Sequence, residues 1–126
     1  MALKFASDSG LTQVITSLST DHANTGMSVE RKVYLFNDSA SFRYENIVID
    51  PTDTVTTDES NYIQLATDNA GVAGTYGASG ANLSLSNITS ANVGTPFWVK
   101  ITTPSVTTAQ NKTDLQLKAL YREFAV

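Results

Sequence analysis

A short segment bounded by two prolines constrains the fold of this chain more than any other part of the sequence. Between Pro96 and Pro104 the apolar residues are Phe97, Val99 and Ile101, and they alternate with Trp98, Lys100 and Thr102. Because successive side chains of a strand point to opposite faces, the three apolar residues would share one face. Each proline lies at an end of the segment, where the missing backbone N–H of a proline does not interrupt the hydrogen bonds between strands. The pattern predicts a central sandwich strand, and we expect Trp98, the only tryptophan, to belong to the core.

The same two-residue alternation recurs elsewhere, between residues that favour turns. We expect further strands at Met27 to Asn37, Ser41 to Asp50, Tyr62 to Thr67, Leu83 to Leu85 and Asp114 to Val126. Two apolar patterns meet near Glu45 and Asn46, which predicts a bulge that shifts the register of that strand. Asn, Asp and Pro residues cluster at positions 37–39 and 50–53, where we expect turns.

The last of these segments is also compatible with a helix, because Leu, Lys, Ala and Glu are frequent in it. The strict alternation of apolar residues favours a strand instead. A strand of this length would span roughly 40 Å, which is longer than most domains use. We therefore expect its end, residues 120–126, to bend or to project from the sheet.

These segments together predict an all-β chain that forms a single antiparallel β-sandwich of seven or eight strands. A small barrel is the alternative. A chain of 126 residues usually forms one domain. We expect residues 1–28 to form an extended N-terminal arm or edge strand, and residues 29–126 to form the sandwich domain.

The composition argues against several classes of function. The chain contains no cysteine, which excludes disulfides and thiol chemistry. Its formal net charge of -4 and its scattered Lys and Arg residues argue against nucleic-acid binding. No apolar run is long enough to span a membrane as a helix, and the first six residues do not resemble a signal peptide. We expect a protein made in a cytoplasm, without nucleic-acid or membrane partners.

Candidate catalytic and metal-binding residues are few. His22 is the only histidine, lies in a predicted loop and has no nucleophile motif near it. An acidic group could offer oxygen ligands to Ca²⁺, although its spacing does not match an EF-hand; it consists of Asp50, Asp53, Asp58 and Glu59. Solvated loops explain both features better than a catalytic or calcium site does. We expect no enzyme activity, no cofactor and no metal.

Glycine recurs at every third residue between two predicted strands, at Gly71, Gly74, Gly77 and Gly80. The stretch lacks the proline of collagen and the Gly-Lys-Ser/Thr of a phosphate loop. It is either a flexible surface loop or an adaptable contact loop that uses Tyr76 as an anchor. The candidate interface residues of the chain are Tyr76, Gly74, Gly77, Leu3, Phe5 and Phe124, the last three because a projecting end could pair with a neighbour's sheet edge.

Four segments resemble a known group of proteins when they are taken together. They are Lys32 to Asn37, Tyr62 to Asp68, Pro96 to Pro104 and Ala109 to Leu117. In these segments the chain resembles small virion structural proteins of tailed bacteriophages, which have Ig-like β-sandwich folds. The resemblance implies an Ig-like sandwich, with a jelly-roll-like one as the alternative. It also implies a particle component that has no catalytic residues.

The expected function is that of a capsid decoration, or cement, protein that bridges shell subunits. Its partners would be the major capsid protein or other virion proteins, and its own copies in a homo-oligomer or symmetric array. The expected location is the virion, assembled in the host cytoplasm. A tail, neck or baseplate accessory protein is one alternative. A carbohydrate-binding module that uses Trp98 or Tyr76 as a platform is an alternative of a different class.

Overall fold

The computed structural model describes residues 3–15, 18–22, 27–53, 62–103 and 110–126. In these residues there are ten strands and no α-helix. The strands are β1 (Leu3–Ala6), β2 (Val14–Ile15), β3 (Leu18–His22), β4 (Met27–Asn37), β5 (Phe42–Asp53), β6 (Ile63–Asn69), β7 (Val72–Ala73), β8 (Leu83–Leu85), β9 (Thr95–Thr103) and β10 (Gln110–Ala125). The predicted all-β class is confirmed. The strands outnumber the expected seven or eight because short edge strands extend both sheets.

The ten strands form two antiparallel sheets. One has six strands in the order β2-β1-β4-β9-β6-β7, and the other has four in the order β3-β10-β5-β8. The buried core draws apolar side chains from both sheets. This arrangement is a β-sandwich, as the alternation of apolar residues predicts.

Strand β9 is central in the six-stranded sheet, with β4 on one side and β6 on the other. Phe97 and Val99 are fully buried and Ile101 is nearly so, which confirms the predicted inner face. The expectation that Trp98 belongs to this core is wrong. Trp98 lies on the outer face and is only half-buried, because Phe97 and Val99 on either side of it occupy the inner face.

The bulge expected near Glu45 is confirmed. Val48 of β5 is opposite Leu120 of β10, whereas Glu45 is opposite Arg122, so three steps along β5 match two along β10. Asn46 takes up the extra residue with a φ of 52°. The bulge returns Tyr44 to the inner face, where its side chain is fully buried.

The C-terminal segment is a strand rather than a helix, as predicted. It remains paired with β5 as far as Ala125, which is opposite Phe42. The expectation that its end projects from the sheet is therefore wrong. Strand β5 is long enough to accompany it because it continues through Pro51, where we expected a turn. Strand β8 pairs with β5 only as far as Ile49. At Pro51, therefore, β5 has a neighbour on one side only, and the missing N–H of the proline can affect only the ladder with β10.

The N-terminal residues are part of both sheets. Strand β1 pairs with β2 on one side and with β4 on the other, and Leu3 and Ala6 are buried. Strands β2 and β3 lie at the edges of their sheets. The described residues of the segment 1–28 thus form β1, which is flanked by strands on both sides, the edge strands β2 and β3, and the start of β4. His22, expected in a loop, is the last residue of β3.

Candidate functional site

The outer face of the six-stranded sheet carries rings and charged groups in rows across neighbouring strands. Pairing of β4, β9 and β6 defines two such rows: Glu30, Lys100 and Gln64 in one, and Lys32, Trp98 and Ala66 in the next. Tyr34 follows on β4, opposite Pro96 of β9. We call this surface the aromatic face; its rings belong to Tyr34, Tyr76 and Trp98.

Trp98 is fixed in orientation by a hydrogen bond to the neighbouring strand. Its indole Nε1 donates to Oδ1 of Asp68 on β6 at 2.9 Å. The side chain therefore extends from β9 across β6. Ala66, directly opposite Trp98, faces outward yet is fully buried, so the indole covers it. One side of the ring system rests on the sheet in this orientation, which leaves the half-exposed indole facing away from the core.

Lys32 lies between two rings of the aromatic face. Its Nζ is 5.5 Å from the ring centroid of Tyr34 and 6.0 Å from that of Trp98, and 3.6 Å from Oδ1 of Asp68. The hydrogen bond from Trp98 holds the pKa of Asp68 below its usual value, and the Gly71 N–H and the Lys32 charge act in the same direction. Asp68 is therefore ionised at neutral pH and keeps Trp98 in place.

Tyr76 reaches across the sheet from the loop that follows β7. Its hydroxyl donates to Oε2 of Glu30 on β4 at 3.1 Å, and Nζ of Lys100 lies 5.5 Å from its ring centroid. Partial burial, together with the Glu30 carboxylate, raises the pKa of Tyr76 to about 12. The phenol thus stays protonated at physiological pH, and the side chain passes over β9 to reach Glu30 on β4.

The glycine-rich segment that carries Tyr76 is hydrogen-bonded to the edge of β6. The amides of Gly74, Gly77 and Gly80 donate to the carbonyl oxygens of Thr67, Leu65 and Ile63, at 2.8, 3.1 and 2.8 Å. Every third residue of the segment thus meets every second residue of the strand. A Cβ atom at Gly74 would lie 3.1 Å from the Thr67 carbonyl oxygen, closer than normal packing allows. Amides at this three-residue spacing thus attach the segment to β6, and Gly74 is the position where a side chain would be crowded.

The other candidate interface residues differ in exposure. Leu3 is 2% exposed and belongs to the core. Phe5 is half-buried against that core, with its ring centroid 6.0 Å from that of Phe97 in an edge-to-face arrangement. Neither side chain projects toward a partner in this fold. Phe124, in contrast, is 36% exposed.

Phe124 belongs to a second exposed surface, on the outer face of the four-stranded sheet. The guanidinium carbon of Arg43 lies 4.5 Å from the Phe124 ring centroid, and Arg43 also forms an ion pair with Glu45. Leu120 is 41% exposed on the same face, and Arg122 lies opposite Glu45. We call Arg43, Leu120, Arg122 and Phe124 the apolar–arginine patch.

The part of the chain that the structure describes contains no group of three or more His, Cys, Asp and Glu side chains that could hold a metal ion. Of the acidic group considered for Ca²⁺, Asp58 and Glu59 lie outside the described residues. One depression has a volume of about 140 Å³, below the usual size of ligand pockets. No helix among the described residues has the length and apolarity to cross a membrane.

Comparisons of the chain with family models, with curated proteins and with solved structures find no match. The resemblance to phage virion proteins therefore rests on the four sequence segments alone. The sequence offered Trp98 or Tyr76 as a platform in one alternative, but Trp98 was expected in the core, although a signal for its outward position was present. The alternation in β9 places Trp98 on the same face as Lys100, and a lysine on that face indicates that it is not the core.

Proposed function

We propose that this protein is a structural component of a phage particle, a capsid decoration protein that bridges neighbouring shell subunits. Two observations support the proposal: the resemblance of four segments to virion proteins, and a sandwich fold that displays side chains suited to protein contacts. Its partners are the major capsid protein or other virion proteins. Its location is the virion, assembled in the host cytoplasm.

The apolar–arginine patch is the observation on which the proposal depends most. Phe124 and Leu120 expose apolar surface to water on the outer face of the four-stranded sheet. Aromatic and arginine side chains are enriched where protein interfaces are strongest. Arg43 is already positioned over Phe124, so little freedom is lost when a partner covers both. The patch therefore forms the proposed contact with the shell.

Many copies on a symmetric shell make such a contact effective even if each one is weak. A stable interface buries roughly 800 Å² per partner. Contacts between copies of the chain, in a homo-oligomer or array, would add avidity. Bridging of shell subunits through such contacts needs no catalytic residue.

The experiment compares particles produced with and without this protein. Particles that lack it are expected to lose heat and osmotic-shock tolerance, and restored protein is expected to recover it. The variant Phe124→Ala is expected to bind the particles at least about tenfold more weakly, because truncating a central interface anchor costs about 2 kcal/mol or more. Equal tolerance of the two particle preparations would contradict the proposal.

A position on the tail, neck or baseplate remains the alternative within the same class. It differs in copy number, because shell sites are numerous and tail sites are few. Quantitative mass spectrometry of purified particles distinguishes the two. A copy number comparable with that of the major capsid protein supports decoration of the head, and only a few copies per particle supports the tail.

A further inference from the structure

We propose that the aromatic face is a binding site for an extended oligosaccharide, a function separate from attachment to a shell. The site is formed by Tyr76, Trp98 and Tyr34 with the polar groups between them. It lies on the sheet opposite the apolar–arginine patch, so both surfaces can be occupied at once.

The three rings are spaced along the direction of the strands. Tyr76 lies over the row of Glu30 and Lys100, Trp98 belongs to the next row, and Tyr34 to the one after. Successive rows on one face are two residues, or roughly 7 Å, apart. The rows to which the rings belong therefore extend over roughly 14 Å along the strands, which suits a chain of several sugar units better than a single compact molecule.

The chemistry of the aromatic face matches the two sides of a sugar ring. A pyranose presents C–H groups on its faces, which pack on aromatic rings, and hydroxyl groups around its rim, which need hydrogen-bond partners. The Lys32 ammonium lies over the rings of Tyr34 and Trp98, and the Lys100 ammonium lies over the ring of Tyr76. Hydrogen-bonding groups are therefore within reach of a sugar that packs on a ring of this face.

The charged groups of this face favour a hydrated ligand as its occupant. The Lys32–Asp68 ion pair and the Glu30–Tyr76 hydrogen bond lie among the rings. Removing water from such groups is costly unless each of them keeps a hydrogen-bond partner. Sugar hydroxyls can replace water at these groups without leaving them unpaired.

The rings are also held in place before any ligand binds. Asp68 fixes the indole of Trp98, and Glu30 fixes the phenol of Tyr76. The glycine-rich segment ties the backbone on either side of Tyr76 to β6 through the amides of Gly74 and Gly77. A ligand that binds to groups already ordered loses little conformational entropy.

The test uses the full chain on a glycan array of bacterial and host-surface oligosaccharides, followed by titration with the oligosaccharide that binds most strongly. Because Trp98 is the only tryptophan, its fluorescence reports on this face alone. We expect saturable binding with a change in the Trp98 emission. Trp98→Ala and Tyr76→Ala are expected to weaken binding at least about tenfold, whereas Lys118→Ala, an exposed lysine on the other sheet, has no effect.

The design includes milder variants in case the alanine variants unfold. Trp98→Phe keeps a ring and loses the hydrogen bond to Asp68, and Lys100→Ala keeps every ring. Each of these two variants is expected to weaken oligosaccharide binding about threefold or more. Thermal melts verify that they are folded. An array on which no glycan is bound above background overturns the proposal. The proposal is also overturned if Trp98→Ala, Tyr76→Ala, Trp98→Phe and Lys100→Ala all retain full binding. If the array is silent while Trp98→Ala abolishes attachment to particles, the face is a protein interface and the proposal is wrong.

Discussion

At the scale of single residues, the hydrogen bond between Trp98 and Asp68 determines how the aromatic face is arranged. It is the largest cause of the lowered pKa of Asp68, ahead of the Gly71 amide and the Lys32 charge. A carboxyl with a lower pKa in the folded state stabilises that state above its unfolded pKa of about 4. The contribution disappears as the pH falls through the folded pKa. Acidification should therefore release Trp98.

The variant Trp98→Phe removes this hydrogen bond while keeping a ring on β9. We expect the pKa of Asp68 to rise toward its ordinary value, and the stability deficit of the variant to shrink as the pH falls below about 4. Carboxyl NMR titration measures the pKa, and urea unfolding at neutral and acidic pH measures the deficit. The control is Asp8, whose pKa is lowered by the Thr12 hydroxyl and should not move. An unchanged pKa of Asp68 would refute the assigned cause.

The same residues show what alternation can and cannot predict. The period of β9 correctly divides its side chains between two faces, and Phe97 and Val99 are buried as expected. The period does not tell how deeply an outward ring is buried. Trp98 is half-buried because its indole lies across Ala66 of the neighbouring strand, and that neighbour follows from topology, which a single strand does not encode.

At the scale of elements, the glycine-rich segment shows how a loop can cover a sheet edge. Its amides donate to alternate carbonyls of β6, so part of this edge is already occupied by the chain itself. An unpaired edge is a template for association with another sheet, and covering it reduces that risk. The three-residue period was visible in the sequence, but its purpose required the position of β6.

Two glycines in this segment provide a matched pair of variants. At Gly74 an added Cβ would lie 3.1 and 3.2 Å from the carbonyl and hydroxyl oxygens of Thr67, whereas at Gly77 the nearest atoms are 3.9 and 4.0 Å away. We expect Gly74→Ala to destabilise the fold by about 1–3 kcal/mol, as overpacking does. Gly77→Ala should remain within about 0.5 kcal/mol of the parent. Urea unfolding tests this, and equal effects of the two substitutions would show that packing against β6 is not their cause.

The elements that could be predicted are those specified by local pattern. The C-terminal strand and the bulge at Asn46 follow from apolar periodicity and its interruption. Pro51 was misassigned to a turn because a proline is tolerated within a strand only where one neighbouring strand has ended. Here that neighbour is β8, and the sequence of β5 does not show where β8 ends. Leu3 and Phe5 were misassigned to an interface because their burial depends on pairing with β4, more than 25 residues away in the sequence.

At the scale of the whole molecule, the sandwich separates two surfaces of different chemistry. The patch around Phe124 is apolar and cationic, and the face around Trp98 combines rings with paired charges. The core between the sheets is built from other residues, so each surface can change without altering the packing that supports the other. Effects of substitutions at such distant sites are usually additive.

This separation predicts that the two binding functions can be lost independently. Phe124→Ala is expected to weaken attachment to particles at least about tenfold and to leave oligosaccharide binding within about twofold of the parent. Trp98→Ala is expected to do the reverse, because Phe124 and Trp98 lie on different sheets. Co-sedimentation measures the affinity for particles. Isothermal titration calorimetry measures the affinity for the oligosaccharide, because the Trp98 variant has no tryptophan emission. The double variant should show both losses. If either substitution weakens both kinds of binding in a protein with an unchanged melting temperature, the two surfaces form one site and their assignment to separate partners is wrong.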